Sequence, residues 1–252
     1  MTTKSTWVRH RTEHGPLWSP VDDERTDIDR AGPNPVEEVM EPFGPVAYDD
    51  LEILPPATPT RVVGLAKNRR RREDEPIIFL MTPSSVIGPN ETIKIPADRG
   101  PTWSEVEVGI VVSQTAKDVP QEEAEDYILG YTVANDVTTE NIDDRDWHLA
   151  RGKALDTYCP TGPHLLTEVD TDALRMTTRV NGELRQDTST KPRKLDETAA
   201  LSYVSSFITL EPGDLIVTGT PSSPLDATIE PGDTTTVEIE NIGSLSNPVD
   251  EI

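Results

Sequence analysis

Cysteine and long apolar stretches are nearly absent from this chain. Cys159 is the single cysteine, which excludes an intramolecular disulfide and is typical of a reducing compartment. The N-terminal residues MTTKSTWVRHRTEHG lack the apolar core of a secretion signal, and no apolar run reaches the length of a membrane span. We therefore expect a cytoplasmic protein with no membrane partner.

Basic residues are scarce relative to acidic ones. Lys and Arg number 23 against 46 Asp and Glu, which gives a formal net charge of −23 that is spread along the chain. Phosphate binding requires a basic surface, so we expect no nucleic-acid partner. Halophilic proteins use a dispersed acid excess for solubility, and we expect adaptation to high salt. The alternative, an acidic face for a basic partner, predicts a clustering of acids that the sequence does not show.

The order of apolar runs and turn signals predicts a β-rich α+β fold. Aromatic residues make up only 5% of the chain, but runs of valine and isoleucine are frequent among its 252 residues. Residues 1–58 predict a small N-terminal region of short strands and loops that ends in a linker, and residues 59–252 predict the main domain. Helices are predicted at 120–129 and at 196–208, where Asp196 is the N-cap. No regular alternation of strand and helix indicates a doubly wound sheet.

The segment WSEVEVGIVVS, residues 103–113, has the alternation of a β-strand. Its apolar face consists of Val106, Val108, Ile110 and Val112. Glu105 and Glu107 lie on the other face, about 6–7 Å apart, where two anions repel by roughly 2–3 kcal/mol at an effective dielectric constant of about 20. Either water screens them on a solvated strand edge, or a cation lies between them.

A third carboxylate, Asp136, ends the apolar segment GYTVAND. There it would sit at the rim of a sheet, although a single aspartate in such a place is more often a turn residue. Carboxylates from neighbouring strands form an all-oxygen site, which suits Mg²⁺, Mn²⁺ or Ca²⁺ rather than zinc. The histidines are scattered along the chain and do not form a competing cluster: His10, His14, His148 and His164.

Two further segments carry groups that can bind an anion. Lys153, in RGKALDTYCPTGP, can hold a substrate carboxylate as a point charge near a divalent ion, or it is an ordinary surface lysine. The turn TGTP, residues 218–221, offers backbone N–H groups and a hydroxyl to a carboxylate, or it is a plain Gly-Pro turn.

In their order along the chain, these motifs resemble the fumarylacetoacetate hydrolase family. The resemblance runs from about Leu54 to Val249 and is carried by ILPPATPTRVVGLAKN, PIIFLMTPSSVIGPNETIKIP, the E-x-E strand, GYTVANDVT, RGKALDTYCPTGPHLL, VNGELRQDTST, TLEPGDLIVTGTP and GDTTTVEIENIGSLSNPV. It implies a mixed β-sandwich roll, a bound divalent cation that is usually Mg²⁺ or Mn²⁺, and a homodimer.

The resemblance also implies roles for individual residues. The positions of the metal-binding carboxylates are occupied by Glu105, Glu107 and Asp136. Lys153 matches the lysine next to substrate and is a candidate catalytic as well as substrate-binding residue. Gly219 and Thr220 belong to the turn that grips the substrate's carboxylate end. The implied substrates are small anionic 2-oxo acids of small-acid or aromatic catabolism, such as acylpyruvates and ring-cleavage dioates. The implied reactions are C–C hydrolysis, decarboxylation or isomerisation through an enolate that a metal chelate stabilises.

The chain departs from the family pattern in residues 68–75, NRRRREDE. Arg72 stands where hydrolases and decarboxylases of the family carry a histidine that works with a glutamate to activate water. Arginine cannot act as a base near neutral pH. Glu75 matches that glutamate and is the candidate acid–base group. Arg72 and its arginine neighbours either bind substrate as a cationic lid or form a solvated basic loop.

Two functional interpretations follow from these residues. The first is a metal-dependent enzyme, for which isomerisation or another enolate reaction with a single base is as well supported as hydrolysis. The second is a non-catalytic, metal-binding relative that acts as a binding or structural dimer. The missing histidine motivates the second interpretation, as does Glu140, which stands where many relatives have an arginine.

Overall fold

The computed structural model describes residues 6–22, 28–33, 35, 41–69, 75–97, 99–141 and 146–252. Within these ranges the chain is mostly β-strand, with two α-helices and short 3-10 helices. The β-rich fold class predicted from the sequence is confirmed. None of the helices in the described part of the chain has the length and hydropathy needed to cross a membrane.

The strands follow one another as β1 (Thr6–Thr12), β2 (Gly15–Val21), β3 (Ile28–Ala31), β4 (Glu41–Val46), β5 (Ile53–Leu54), β6 (Val62–Ala66), β7 (Ile77–Met81), β8 (Val86–Ile87), β9 (Ile93–Ile95), β10 (Thr102–Trp103), β11 (Val106–Val112), β12 (Ile128–Asn135), β13 (Thr138–Thr139), β14 (Cys159–Leu166), β15 (Arg175–Val180), β16 (Glu183–Ser189), β17 (Leu215–Val217), β18 (Thr228–Ile229), β19 (Thr234–Ile239) and β20 (Gly243–Glu251). The α-helices are α1 (Ala150–Lys153) and α2 (Glu197–Phe207), and 3-10 helices span Tyr48–Asp50, Pro83–Ser85 and Gln121–Tyr127.

The largest sheet is mixed and has the strand order β2-β1-β14-β12-β11-β17-β6-β7, with β5 paired to β1 and β8 to β14. Most neighbours are antiparallel, but β17 runs parallel to β6 and β14 parallel to β8. The central strand β11 is buried along its whole length. This strand therefore lies between packed layers on both of its faces.

A second, five-stranded sheet has the order β16-β15-β19-β20-β9, and a small third sheet has the order β13-β10-β18. Val108 and Ile110 of β11 share one core with Met176 of β15 and Val237 of β19. The two larger sheets thus pack face to face, and each fully buried side chain of this size contributes roughly 1.5–3 kcal/mol. The apolar face predicted for β11 is confirmed.

The N-terminal region contains short strands, and one of them joins the largest sheet. Thr6, Trp7 and Val8 of β1 pair with β14. β5, which lies in the predicted linker, pairs with β1. Hydrogen bonds of the sheet therefore connect this region to the rest of the chain, and the domain boundary at residue 58 stays a prediction.

One of the two predicted helices is confirmed and the other is wrong. Asp196 caps α2 as predicted, because its Oδ1 accepts from the backbone N–H of Ala199 at 2.9 Å. The segment 120–129 instead forms the 3-10 helix Gln121–Tyr127 and enters β12 at Ile128. Ile128 pairs with β11, and this sheet pairing overrides the local helical pattern.

Candidate metal centre and substrate site

The register of β11 and β12 places the three predicted carboxylates at one end of the largest sheet. The strands are antiparallel, with Glu107 opposite Ala134. Asp136 follows β12 directly, and its backbone N–H donates to the carbonyl oxygen of Glu105 at 2.9 Å. Glu105, just before β11, therefore lies next to Asp136, just after β12.

Glu105, Glu107 and Asp136 form a compact cluster. One carboxylate oxygen from each residue lies within 4.8 Å of the other two. Glu107 and Asp136 are 2% and 1% exposed, and the side chain of Glu105 is 12% exposed. Burial this deep excludes the solvated strand edge as an explanation of the E-x-E pattern, because water cannot screen these charges. Repulsion between them must be relieved by protons or by positive charge, and the Lys153 ammonium group supplies one such charge for the three acids.

The donor set fits a hard divalent cation. Asp136 Oδ1 is buried and has no hydrogen-bond partner in the described part of the chain, which is costly for a carboxylate oxygen. All the donors are oxygens, the ligand type that Mg²⁺, Mn²⁺ and Ca²⁺ prefer. A cation between the three residues gives this oxygen a partner and removes the mutual repulsion.

Burial shifts the protonation of two of these acids. It raises the pKa of Glu107 well above its ordinary value, and the charge of Asp136 raises it further. Burial also raises the pKa of Asp136 to about 7, against the opposing charge of Lys153. Near neutral pH the cluster therefore holds protons that a metal ion has to displace.

We expect Mn²⁺ affinity to rise steeply with pH, by up to about tenfold per pH unit for each proton released. Because these pKa values are raised in the folded state, folded protein binds more protons than unfolded protein. The contribution of Asp136 to metal-free stability is therefore greatest below the ordinary carboxyl pKa and is lost as pH rises through about 7. Calorimetric titration with Mn²⁺ in buffers of different ionisation enthalpy measures the protons released. Affinity that is independent of pH contradicts the expectation.

Lys153 ends α1, and its ammonium group lies against the cluster. Its Nζ donates to Asp136 Oδ2, to Thr138 Oγ1 at 2.7 Å and to Glu105 Oε1 at 3.5 Å. It also lies 4.9 Å from the ring centre of Phe79. Burial lowers the pKa of Lys153, but the charges of the three carboxylates raise it more, so that it ends above its ordinary value. Without a metal ion in the cluster, the three carboxylates therefore favour the charged form of Lys153.

The TGTP turn is tied to the same cluster. The backbone N–H of Gly219 donates to Glu107 Oε2 at 2.8 Å. Gly219 has a φ of +91°, and a Cβ atom there would lie 2.4 Å from the carbonyl oxygen of Leu65, so glycine is required on both counts. Thr220 is buried, and its hydroxyl accepts from Gln186 Nε2 at 3.0 Å.

The predicted acid–base segment is only partly described. Arg72 lies outside the described residues, so its predicted contact with substrate stays a prediction. Arg69 Nη2 donates to the carbonyl oxygen of Ser222 at 2.7 Å. Glu75 is exposed, and its carboxylate accepts from the hydroxyl of Tyr203 at 3.5 Å. These two contacts lie outside the carboxylate cluster.

Sequence reasoning missed residues that hold the predicted ones in place. Trp103 Nε1 and Thr138 Oγ1 each donate to Glu105 Oε1 at 2.8 Å. Thr138 could have been singled out from the sequence, because it follows the candidate ligand Asp136 by two residues in the segment NDVT. The sequence around Gln186 does not point to the site, since Gln186 reaches Thr220 from β16, a strand of the five-stranded sheet.

Comparison with known proteins gives the family. The sequence model for the fumarylacetoacetate (FAA) hydrolase C-terminal region matches residues 57–250. The chain belongs to the fumarylacetoacetate hydrolase family, as its motifs predict.

Similar proteins in this family include isomerases and a tautomerase. A 2-hydroxyhepta-2,4-diene-1,7-dioate isomerase from Mycobacterium marinum superposes with a TM-score of 0.87 at 34% identity, over 98% of both chains. A 5-carboxymethyl-2-hydroxymuconate delta-isomerase from Mycobacterium smegmatis has a TM-score of 0.87 at 33% identity, over 98% of this chain and 100% of that one. A mitochondrial oxaloacetate tautomerase from Xenopus laevis is 36% identical over 190 residues, which are 69% of this chain and 58% of that protein.

Proposed function

We propose that the protein is a divalent-metal-dependent enzyme that isomerises a small 2-oxo acid carrying a second carboxyl or carbonyl group. Oxaloacetate-like dicarboxylates, acylpyruvates and ring-cleavage dioates are the candidate substrates. The observation that carries the proposal is the buried carboxylate cluster with an unpartnered Asp136 oxygen, beside an ammonium group that stays charged. The carboxylate cluster suits a cation, and the Lys153 ammonium group suits an anionic substrate.

Glu105, Glu107 and Asp136 are the residues proposed to hold Mg²⁺ or Mn²⁺, with Ca²⁺ as a weaker alternative. Such an ion, when bound, supplies a positive charge that polarises a substrate carbonyl and stabilises negative charge on its oxygen. The protein contributes a buried setting in which this charge is poorly screened by water.

Lys153, Gly219 and Thr220 are proposed to bind and orient the substrate. Lys153 supplies a positive charge whose position is fixed by Asp136 and Thr138. Thr220 supplies a hydroxyl that Gln186 holds in place. A carboxylate held between the ammonium group and the turn is limited to a small range of orientations, which lowers the entropy cost of reaching the transition state.

Isomerisation is favoured over hydrolysis because it needs one base and no activated water. The sequence has Arg72 where the family's water-activating histidine stands, and arginine cannot act as a base near neutral pH. We assign proton transfer to Glu75, which precedes β7, the strand that carries Phe79 beside the Lys153 ammonium group. This role stays a prediction, because the Glu75 carboxylate contacts Tyr203 and not the carboxylate cluster.

Glu75→Gln is expected to lower kcat by about 10²–10⁴-fold, the usual contribution of a positioned acid–base group. Mn²⁺ affinity should not change, because the carboxylate contacts Tyr203 and not the cluster. The assay follows the ultraviolet absorbance of the enol of oxaloacetate, an acylpyruvate and a ring-cleavage dioate, with Mg²⁺ or Mn²⁺ added to chelator-treated protein. Glu123→Gln, an exposed glutamate of a 3-10 helix, is the matched control.

The same assay distinguishes the enzyme from the non-catalytic alternative. Absence of turnover for every compound, with oxalate still bound in the presence of Mn²⁺, supports a metal-binding relative that has lost its chemistry. Turnover without any divalent ion contradicts the metal-dependent proposal. The homodimer, the cytoplasmic location, the adaptation to high salt and the lack of a nucleic-acid partner stay predictions from the sequence.

A further inference from the structure

Two residues of the small third sheet converge on one oxygen of Glu105. Trp103 of β10 is the cross-strand neighbour of Thr138 of β13. The indole Nε1 of Trp103 and the hydroxyl of Thr138 both donate to Glu105 Oε1, each at 2.8 Å. Lys153 Nζ approaches the same oxygen at 3.5 Å. These contacts all involve Oε1, which leaves Oε2 as the oxygen available to a cation.

The direction of the hydrogen bond from Thr138 is fixed by its neighbours. The ammonium group of Lys153 can only donate, so Thr138 Oγ1 accepts from it at 2.7 Å. The hydroxyl proton of Thr138 is then free for Glu105 Oε1, which is nearer than its other acceptor, the carbonyl oxygen of Asp136 at 3.2 Å. Indole N–H is also donor-only. Both bonds therefore orient the Glu105 carboxyl group so that its Oε1 faces the small sheet.

We propose that Trp103 and Thr138 are positioning residues that orient Glu105 so that Oε2 faces the metal site. This inference rests on the proposed metal-binding role of Glu105. Groups that hydrogen-bond to a metal-ligating carboxylate fix its orientation, and their loss weakens metal binding even though they do not contact the metal. Thr138 also accepts a hydrogen bond from Lys153, so it holds the ammonium group beside the same carboxylate.

The chain contains a matched control next to Thr138. Thr139 lies on the same strand and is also buried. Its hydroxyl is bonded to Thr102 and Tyr158, both at 2.8 Å, rather than to the carboxylate cluster. Replacing either threonine by valine keeps the shape and removes one buried hydroxyl. Only the Thr138 replacement removes a bond to a proposed metal ligand.

The test measures Mn²⁺ binding to chelator-treated protein by calorimetry and by the loss of the free Mn²⁺ signal in electron paramagnetic resonance. Thr138→Val and Trp103→Phe are each expected to weaken Mn²⁺ binding by about 10–100-fold, the usual effect of losing such an outer contact. Thr138→Ser, which keeps the hydroxyl, should restore the affinity. Thr139→Val should bind Mn²⁺ like the wild type. Circular dichroism of the metal-free variants checks that each is folded.

Several outcomes overturn the inference. Wild-type affinity in both Thr138→Val and Trp103→Phe shows that the two bonds do not position the ligand, and it leaves the proposed function standing. An equal loss in Thr139→Val shows general loosening of the small sheet. If Thr138→Val does not fold, Trp103→Phe decides the question alone, because it acts on the same oxygen from another strand. A wild-type protein that fails to bind Mn²⁺ overturns the proposed function and the inference with it.

Discussion

Glu107→Gln is expected to abolish Mn²⁺ binding and the rise in Tm that Mn²⁺ produces in the wild type. The amide cannot replace an anionic ligand, but its side-chain oxygen still accepts from Gly219, so the local structure is kept. The same change should raise the Tm of the metal-free protein, since it removes a buried carboxylate that faces Asp136 and Glu105. Thermal unfolding with and without Mn²⁺ measures both effects.

Glu107→Gln is expected to remove the stabilisation by Mn²⁺ and at the same time to raise the Tm of the metal-free protein. This combination makes the test specific. Glu238→Gln removes a negative charge from an exposed position on β19 and should leave both the metal-free Tm and the Mn²⁺ response unchanged. A Glu107→Gln protein that is still stabilised by Mn²⁺ shows that the ligand assignment is wrong. A loss of stability in both states indicates damage to the core instead of loss of a ligand.

Lys153→Met is expected to remove detectable turnover and to weaken oxalate binding strongly, while Mn²⁺ binding is retained or becomes tighter. Methionine keeps an unbranched apolar side chain at this buried position but removes the charge that the proposal assigns to the substrate carboxylate. The ammonium group contacts Asp136 and Glu105, so its loss also removes a positive charge that opposes a cation in the cluster. Calorimetry with Mn²⁺, and with oxalate in the presence of Mn²⁺, measures the two affinities separately.

Lys117→Met is a control for this substitution. Lys117 Nζ donates to the backbone carbonyl oxygens of Ser205 and Ser206 on α2, and none of these contacts is part of the carboxylate cluster. The control should leave turnover and both affinities unchanged. Equal weakening of Mn²⁺ and oxalate in Lys153→Met contradicts the separate roles assigned to the ammonium group and the carboxylates.

The parts of the site that could be predicted were those set by local pattern. Alternation along β11 gave the apolar face, which is confirmed, and placed Glu105 and Glu107 opposite it. Pattern alone could not choose between a solvated edge and a buried centre, because burial is decided by the sheet that packs on the strand. Motif order supplied the family, and with it the expectation that Asp136 would join them.

The parts that could not be predicted depend on contacts between distant segments. Residues 120–129 have a helical pattern, but pairing with β11 draws Ile128 into β12. Trp103 and Thr138 meet only because β10 and β13 are neighbours, and both strands are two residues long. Strands this short give no periodic signal. Gln186 lies on β16 of the five-stranded sheet, and Thr220 lies in the turn after β17 of the largest sheet. Neither residue's local sequence therefore indicates their contact.

The backbone N–H of Gly219 links a proposed metal ligand to the turn proposed to bind substrate. It donates to Glu107 Oε2 at 2.8 Å, and Thr220 is the next residue of that turn. If both proposed roles hold, the ion and the organic acid bind to directly connected parts of the chain. By thermodynamic linkage, any factor by which the bound ion raises the affinity for the organic acid must equal the factor by which the acid raises the affinity for the ion.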